Sequence, residues 1–327
     1  MNDVVLEIRD LCAQYVDGPK RVKAVDGISF TLRRGATLAL VGESGCGKTT
    51  TALAILGLLP HPGRVLRGEV RFAGRDLLSL GSEDLRRLRG QEISLIMQDP
   101  INGLNPVLSV GEQVEEIITA HLAVSKQTAR RMVFDALERA GLAEPEQLTR
   151  QYPFQLSGGM CQRVFIAIAT VLQPQVIIAD EPTSALDVTV QAGILSELER
   201  LRRDHGVSIL LITHNLGVVA QMADEVAVMY AGRIAEEGPA SEVLQRPRHP
   251  YTWSLLAALP RLDKAKRPLE AIKGSPPDLA ELPAECAFLP RCRKAVSACR
   301  TKPSPPLAEV APGHRAACYN PVYQPDE

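Results

Sequence analysis

The 327-residue sequence contains no run of about eighteen apolar residues, so no segment reads as a membrane-crossing helix. Its opening stretch, MNDVVLEIRD, has neither the basic start nor the apolar core of a secretion signal. The expectation is a cytoplasmic protein, in which disulfides are rare. An excess of charge is missing too. Lys and Arg number 37 against 38 Asp and Glu, a net charge of −1, so the molecule as a whole has no electrostatic bias toward nucleic acid or anionic lipid. No internal repeat or low-complexity tract occurs. What is left is ordinary for a globular chain: 45% hydrophobic and 23% charged residues, over a length that suits one large domain or two smaller ones.

Residues 1 to about 240 alternate short apolar, β-branched runs with amphipathic stretches, the pattern of an α/β domain with a largely parallel sheet. Buried strands are expected at TLALV (37–41), QVIIAD (175–180), VSILLIT (207–213) and EVAVMY (225–230). The spacing of Met132, Phe134, Leu137 and Leu142 in QTARRMVFDALERAGL (127–142) predicts a helix. Beyond about residue 240 the texture changes. Twelve of the 24 prolines fall in the last 68 residues, which argues against regular helices or sheet there. A loop-rich appendage is expected, with a fold that needs some staple beyond its small core.

The strongest chemical signal is GESGCGKTT, Gly42 to Thr50, which fits G-x-x-x-x-G-K-[ST]. It follows the strand TLALV and opens into the helix-compatible TTTALAILGLL, the context a phosphate loop requires. Across Gly42, Glu43, Ser44, Gly45, Cys46 and Gly47 the glycines let successive backbone N–H groups turn toward phosphates. The following helix adds its positive end. Lys48 is expected to reach the β- and γ-phosphates, Thr49 to ligate Mg²⁺, and Thr50 to complete the nucleotide-binding stretch.

A second signal is VIIADEP (176–182), an apolar strand that ends on two carboxylates, where α/β sheets place ligands. Asp180 is expected in the magnesium shell, and Glu181 is expected to orient and polarise the attacking water. A third signal, LSGGMCQR (156–163), puts Ser157, Gly158 and Gly159 at the opening of another helix. A second phosphate cradle in a chain that already has one makes sense if it serves the nucleotide of another subunit.

In this order the motifs resemble those of the ATP-binding-cassette (ABC) ATPases, over residues 1 to about 240. The resemblance implies a P-loop NTPase cassette, an α/β RecA-like core with a helical subdomain at about 96–170, followed by a small Cys/Pro-rich extension over 241–327. It further implies that Tyr15 stacks on adenine and that Gln98, in LIMQDP, is the Q-loop glutamine at the magnesium and the reacting water. SALD (184–187) resembles the D-loop. His214, in LLITHN, resembles the switch histidine that contacts the γ-phosphate. Met160, Met97 and Asn215 depart from the commonest residues at their places, but none of them removes a catalytic group, so a competent ATPase is expected.

QDPINGLNPVLSVGEQV (98–114), PGRVLRGEVRFAGRDLL (62–78) and RHPYTWSLLAALP (248–260) are similar to the ATPases of dipeptide and oligopeptide importers, and specifically to the first of their two paralogous ATPases. That resemblance implies a second, paralogous ATPase subunit, two transmembrane permease subunits contacted near 98–114, and a periplasmic or extracellular solute-binding protein. It places the chain on the cytoplasmic side of the inner (plasma) membrane, with no nucleic acid as partner. Relatives carry peptides, nickel complexes, opines or other small solutes. A soluble ABC ATPase outside transport is the rival class, and it would usually carry two cassettes or a long coiled-coil insertion.

Four of the seven cysteines, Cys286, Cys292, Cys299 and Cys318, lie in the tail, with five, six and eighteen residues between neighbours. In a reducing compartment clustered thiols point to metal before disulfides. Structural zinc usually employs a tight C-x₂₋₄-C pair, which is absent here. The expectation is therefore a [4Fe–4S] cluster, with zinc as the alternative. Cys12, Cys46 and Cys161 stand alone and read as packing residues.

Overall fold

The computed structural model describes residues 3–99, 103–184, 187–258 and 272–323. In chain order the first half holds β1 (Val4–Asp17), β2 (Lys20–Arg33), β3 (Thr37–Val41), α1 (Lys48–Ile55), β4 (Gly63–Phe72), β5 (Arg75–Asp76), α2 (Ser82–Leu88), β6 (Ile93–Ile96), α3 (Val110–His121), α4 (Lys126–Arg139), α5 (Pro145–Leu148) and α6 (Gly158–Thr170). The second half holds β7 (Val176–Asp180), α7 (Val188–His205), β8 (Ser208–Thr213), α8 (Leu216–Met222), β9 (Glu225–Tyr230), β10 (Arg233–Pro239), α9 (Ala240–Gln245), α10 (Pro250–Ala257), α11 (Ser297–Thr301), β11 (Ala308–Ala311) and β12 (His314–Ala316). The four expected strands are β3, β7, β8 and β9, each within a residue of its expected ends.

The chain forms two compact units. One comprises Met1–Leu6, Leu32–Thr37 and Ser79–Ile212; the other comprises Glu7–Thr31, Leu38–Leu78 and Thr213–Glu327. In the first unit β6, β7 and β8 run parallel, and Ile178 lies level with Leu95 on one side and Leu210 on the other. Every residue of β7 and β8 is buried. A parallel sheet covered on both faces has no place for polar alternation, hence the unbroken runs VIIA and ILLI. Helices α3, α4 and α6 pack on one another beside it. Helix α3 starts on a reciprocal cap: Ser109 Oγ accepts from Glu112 N–H, and the Glu112 carboxylate accepts from Ser109 N–H at 2.7 Å.

Helix α4 forms where the spacing placed one, and Leu137 and Leu142 of the expected stripe are buried, but the inward face is shifted to one side. Ala129, Val133, Ala136 and Leu137 are the buried residues, whereas Met132 and Phe134 are half-buried at its flanks. Three of the four inward residues are small enough to bring helices close. A hydropathy pattern led by the large residues therefore points slightly to one side of the true face.

In the second unit the sheet order is β11–β12–β10–β9–β3. Strands β3 and β9 are parallel, and the others pair antiparallel. A separate four-stranded sheet has the order β2–β1–β4–β5. The proline-rich tail thus does contribute sheet, contrary to the sequence expectation. Strand β12 pairs with β10, Ala316 opposite Glu236, and folds back onto β11 through Gly313 at φ 67°. Prolines flank these short strands without interrupting their hydrogen-bonded positions.

Aromatics make up only 4% of the sequence, and three of them meet in this unit. The rings of Tyr230 and Tyr251 are 4.6 Å apart, and Phe288 stands edge-on to both at 5.2 and 5.4 Å. They close one apolar cluster with Ala39, Val41, Val226 and Val228 of the central strands. Below it, the fully buried Glu236 carboxylate accepts from the backbone N–H groups of Arg248 (2.6 Å) and His249 (2.8 Å) and stands 2.6 Å from His314 Nε2. One acid side chain of β10 thereby ties down two separate segments of the tail.

Candidate nucleotide-binding site

Residues 42–50 lie where β3 hands over to α1, at the carboxyl end of a fully buried strand. Two glycines are forced there. Gly47 is left-handed at φ 108°, and a Cβ on it would run into the Ala24 carbonyl oxygen; one on Gly42 would run into the Met229 carbonyl oxygen. Helix α1 starts on Gly47 with no side-chain cap, so its leading N–H groups face the loop without a side-chain acceptor. The buried Lys48 folds back over the loop, and its Nζ donates to the carbonyl oxygens of Gly42 (2.8 Å) and Glu43 (3.0 Å). Ser44, Gly45 and Thr49 are exposed and Thr50 is half-buried, while Cys46 is buried and its thiol is pushed up by that burial. The arrangement is an anion cradle: a curved backbone, a helix N-terminus and one ammonium group.

The same unit holds Tyr15 and His214. Tyr15 is half-buried on β1, with its ring so close to Gly63 that a Cβ there would stand 2.7 Å from Cε1. His214 follows β8 and is exposed.

In the other unit, β7 delivers Asp180 buried at its last position and Glu181 directly after it. Glu181 adopts a left-handed backbone at φ 48°, unusual for a residue with a side chain, and its N–H donates to Ile212 O at 2.8 Å. Adjacent carboxylates are thus turned by the kink as well as by strand alternation. Gln98 is exposed just beyond β6, and its carbonyl oxygen accepts from Ser184 Oγ at 3.3 Å, which brings the Q-loop residue and the turn after Glu181 together. Of SALD, Ala185 and Leu186 lie outside the described residues, as do residues 100–102 of the 98–114 block and 259–260 of the 248–260 block.

Ser157 is the N-cap of the 13-residue helix α6, its Oγ accepting from Met160 N–H at 3.3 Å. The two glycines after it serve different ends. A Cβ on Gly159 would meet Val190 Cγ1 of α7 at 2.8 Å, whereas one on Gly158 would meet nothing within 4 Å. Gly159 lets two helices touch, and the space beside Gly158 is open.

The four tail cysteines line one small cavity together with His249, Phe288 and Lys294. Burial pushes the Cys286 and Cys292 thiols up and the Cys318 thiol to about 12. Among the described residues, no group of three or more His, Cys, Asp or Glu side chains is placed so as to hold a metal ion. The tail thiols share a cavity without standing at ligand spacing.

Two residues to which no motif assigned a role reach the phosphate loop. Tyr251 Oη accepts from Glu43 N–H at 2.9 Å. Arg291 grips the Glu43 carboxylate with both terminal nitrogens, at 2.6 and 2.9 Å. They lie 208 and 248 residues from Glu43 in sequence, a separation at which no local pattern signals contact.

A strand–phosphate loop–helix, a buried strand ending on Asp-Glu and a Ser-Gly-Gly helix start define an ABC-type P-loop ATPase. Comparison with known proteins agrees. Residues 25–184 match the family described as ABC transporter, and residues 235–299 match the family described as Oligopeptide/dipeptide transporter, C-terminal region. The chain is 45% identical to the oligopeptide transport ATP-binding protein OppD of Salmonella typhimurium, over 98% of this chain and 95% of that one. It is 46% identical to the dipeptide transport ATP-binding protein DppD of Bacillus subtilis, over 90% and 88%. The dimeric post-hydrolysis structure of the ATP-binding cassette MJ0796, bound to ADP and Pi, superposes with a TM-score of 0.66 at 27% identity, covering 72% of this chain and 98% of that one. The chain belongs to the ABC transporter ATPase family and is an ATP-hydrolysing cassette. Among its described residues no helix is long and apolar enough to cross a membrane.

Proposed function

We propose that this chain is the ATPase subunit that drives import of dipeptides and oligopeptides. The observation that carries the reading is the likeness to peptide transport ATP-binding proteins, which extends through cassette and tail together. On this reading the chain sits on the cytoplasmic face of the inner membrane, held by two permease subunits near residues 98–114. It pairs with a paralogous second ATPase, and a solute-binding protein delivers cargo. Nickel complexes, opines or another small solute are the alternative cargo. Residues 1–240 form the cassette, with the helical subdomain at about 96–170, and 241–327 form the extension.

Each site residue then has a task. The N–H groups of residues 42–47 and Lys48 take the phosphates, and Tyr15 stacks on adenine. Magnesium, which screens the developing charge, would be held by Thr49, Asp180 and Gln98. Glu181 orients and polarises the attacking water, and His214 contacts the γ-phosphate. Ser157, Gly158 and Gly159 serve the nucleotide of the partner subunit; the open space at Gly158 supports that role.

Four thiols around one cavity are a thiophilic donor set by chemistry, though they do not stand at ligand spacing, and a bound cation would offset the burial that now disfavours thiolates. A [4Fe–4S] cluster held by Cys286, Cys292, Cys299 and Cys318 is the first reading and zinc the second. Iron, acid-labile sulfide and zinc in anaerobically purified protein decide between them, and absence of all three returns these cysteines to packing.

Two measurements on the assembled transporter test the rest. Glu181→Gln should keep MgATP binding while turnover falls by about 10²–10⁴-fold, the usual contribution of such a group; near-normal turnover refutes the assignment. Peptide-loaded binding protein should stimulate ATP hydrolysis, and stimulation by a nickel complex or opine instead would replace the peptide cargo.

A further inference from the structure

Glu43 of the nucleotide loop is held from three directions, two of them from the extension. Its N–H donates to Tyr251 Oη, its carbonyl oxygen accepts from Lys48 Nζ, and its carboxylate is clamped bidentately by Arg291. The Arg291 side chain is only 5% exposed, and the Glu43 side chain 23%. The guanidinium is itself fixed: Nε donates to Lys273 O at 3.1 Å, one terminal nitrogen donates to Tyr230 Oη at 3.3 Å, and Cζ lies 5.8 and 6.0 Å from the ring centres of Tyr230 and Phe288. Those rings belong to the cluster that docks the extension on the central strands. Arg291 therefore has a rigid backing on the extension and a rigid target in the loop.

The chemistry at the target gives the contact a purpose. A carboxylate in a loop that receives a polyphosphate repels it unless a cation neutralises the charge at close range. Lys48 cannot do both tasks, since it is the group expected on the phosphates. We infer that Arg291 is a positioning residue for ATP binding: it neutralises and holds Glu43, so that the extension sets the shape and charge with which the loop meets the nucleotide. This inference rests on the reading of residues 42–50 as the ATP loop.

The full chain in the assembled transporter tests it, with MgATP as the probe. Arg291→Gln should weaken equilibrium MgATP binding and raise KM by about tenfold, the effect of one uncompensated charge nearby at an intermediate dielectric. Its kcat at saturating MgATP should change far less, because the reacting groups are untouched. Adding Glu43→Gln in the same chain should restore most of the lost affinity, since the offending charge is gone. Unchanged affinity in Arg291→Gln overturns the proposal. So does a double variant as weak as the single one, which would make Arg291 a packing residue only. Should Arg291→Gln fail to fold, Arg291→Lys keeps the charge but loses the two-pronged grip. A loss of roughly threefold in affinity is then expected, and no loss overturns the proposal. Lys48→Ala separates the two levels. If it abolishes binding while Arg291→Gln binds normally, only the present inference fails. If Lys48→Ala binds MgATP like the unaltered chain, the loop reading and the inference fall together.

Discussion

Replacing Glu236 by Gln changes one atom at the point where the tail is anchored. The carboxylate serves three donors with two oxygens: Arg248 N–H and His314 Nε2 at Oε1, and His249 N–H at Oε2. An amide has one acceptor oxygen, so whichever way it turns, its NH₂ faces a backbone N–H that is buried and left without an acceptor. Orphaning such a group costs about 1–3 kcal/mol, and loss of the charge weakens the remaining bonds further. A loss of about 3 kcal/mol is expected, which lowers the melting temperature by about 4 °C in a chain of this size. Glu236→Leu, which removes both oxygens, should cost more. Thermal and urea unfolding of the purified chain reads this directly. A change below about 1 kcal/mol would refute the claim that this carboxylate anchors the tail.

The two glycines after Ser157 should separate in opposite ways: Gly158→Ala folds with unchanged melting temperature but loses hydrolysis in the assembled transporter, whereas Gly159→Ala lowers stability because its methyl meets Val190. Equal effects of the two on stability and activity would undo that division. His249 offers a pH test. Its Nδ1 accepts from Tyr251 N–H, and burial lowers its pKa to about 4, below the ordinary value of 6.5. Between those values the unfolded chain takes up the proton and the folded chain does not, so stability falls as pH drops from about 6.5 toward 4, by up to ~1.4 kcal/mol per unit. His249→Asn keeps a helix-capping acceptor and should flatten that slope; an unchanged slope assigns it elsewhere. A chain ending at residue 245 loses Tyr251, Phe288 and His314 at once, and each large aromatic removed from a core costs about 3–5 kcal/mol. It should be insoluble or lack a cooperative transition, and a melting temperature equal to that of the full chain would contradict the shared core.

The nucleotide elements were legible because their chemistry is local. A phosphate loop needs glycines, a lysine and a helix start within nine residues; Gly42 and Gly47 stand where a Cβ would clash, and Lys48 folds back over the loop. Parallel strands buried on both faces write themselves as unbroken apolar runs, so β3, β7, β8 and β9 were found almost to the residue. Helix α4 was found but its inward face was shifted, because Ala129 and Ala136 carry little hydropathy and yet occupy the interface. The sheet in the tail was missed because its pairing partner, β10, lies about 80 residues away and its own strands are only three and four residues long. Arg291 escaped for the same reason of distance.

These misses share a cause that bears on how the tail works. The tail does not bury its apolar residues only among themselves; Tyr251 and Phe288 pack on each other and on Tyr230, Val226 and Val228 of the strand β9. Its polar anchors follow the same rule, with His314 meeting Glu236 of β10 and Arg291 meeting Glu43 of the phosphate loop. A segment that is stabilised mainly by another segment carries few signals of its own in sequence, since each residue is chosen for a partner far along the chain. Phe288 and Arg291 lie between Cys286 and Cys292 in the chain, and Arg291 ends on Glu43 of the phosphate loop, so the cassette strands and loop give the tail the partners it lacks within itself.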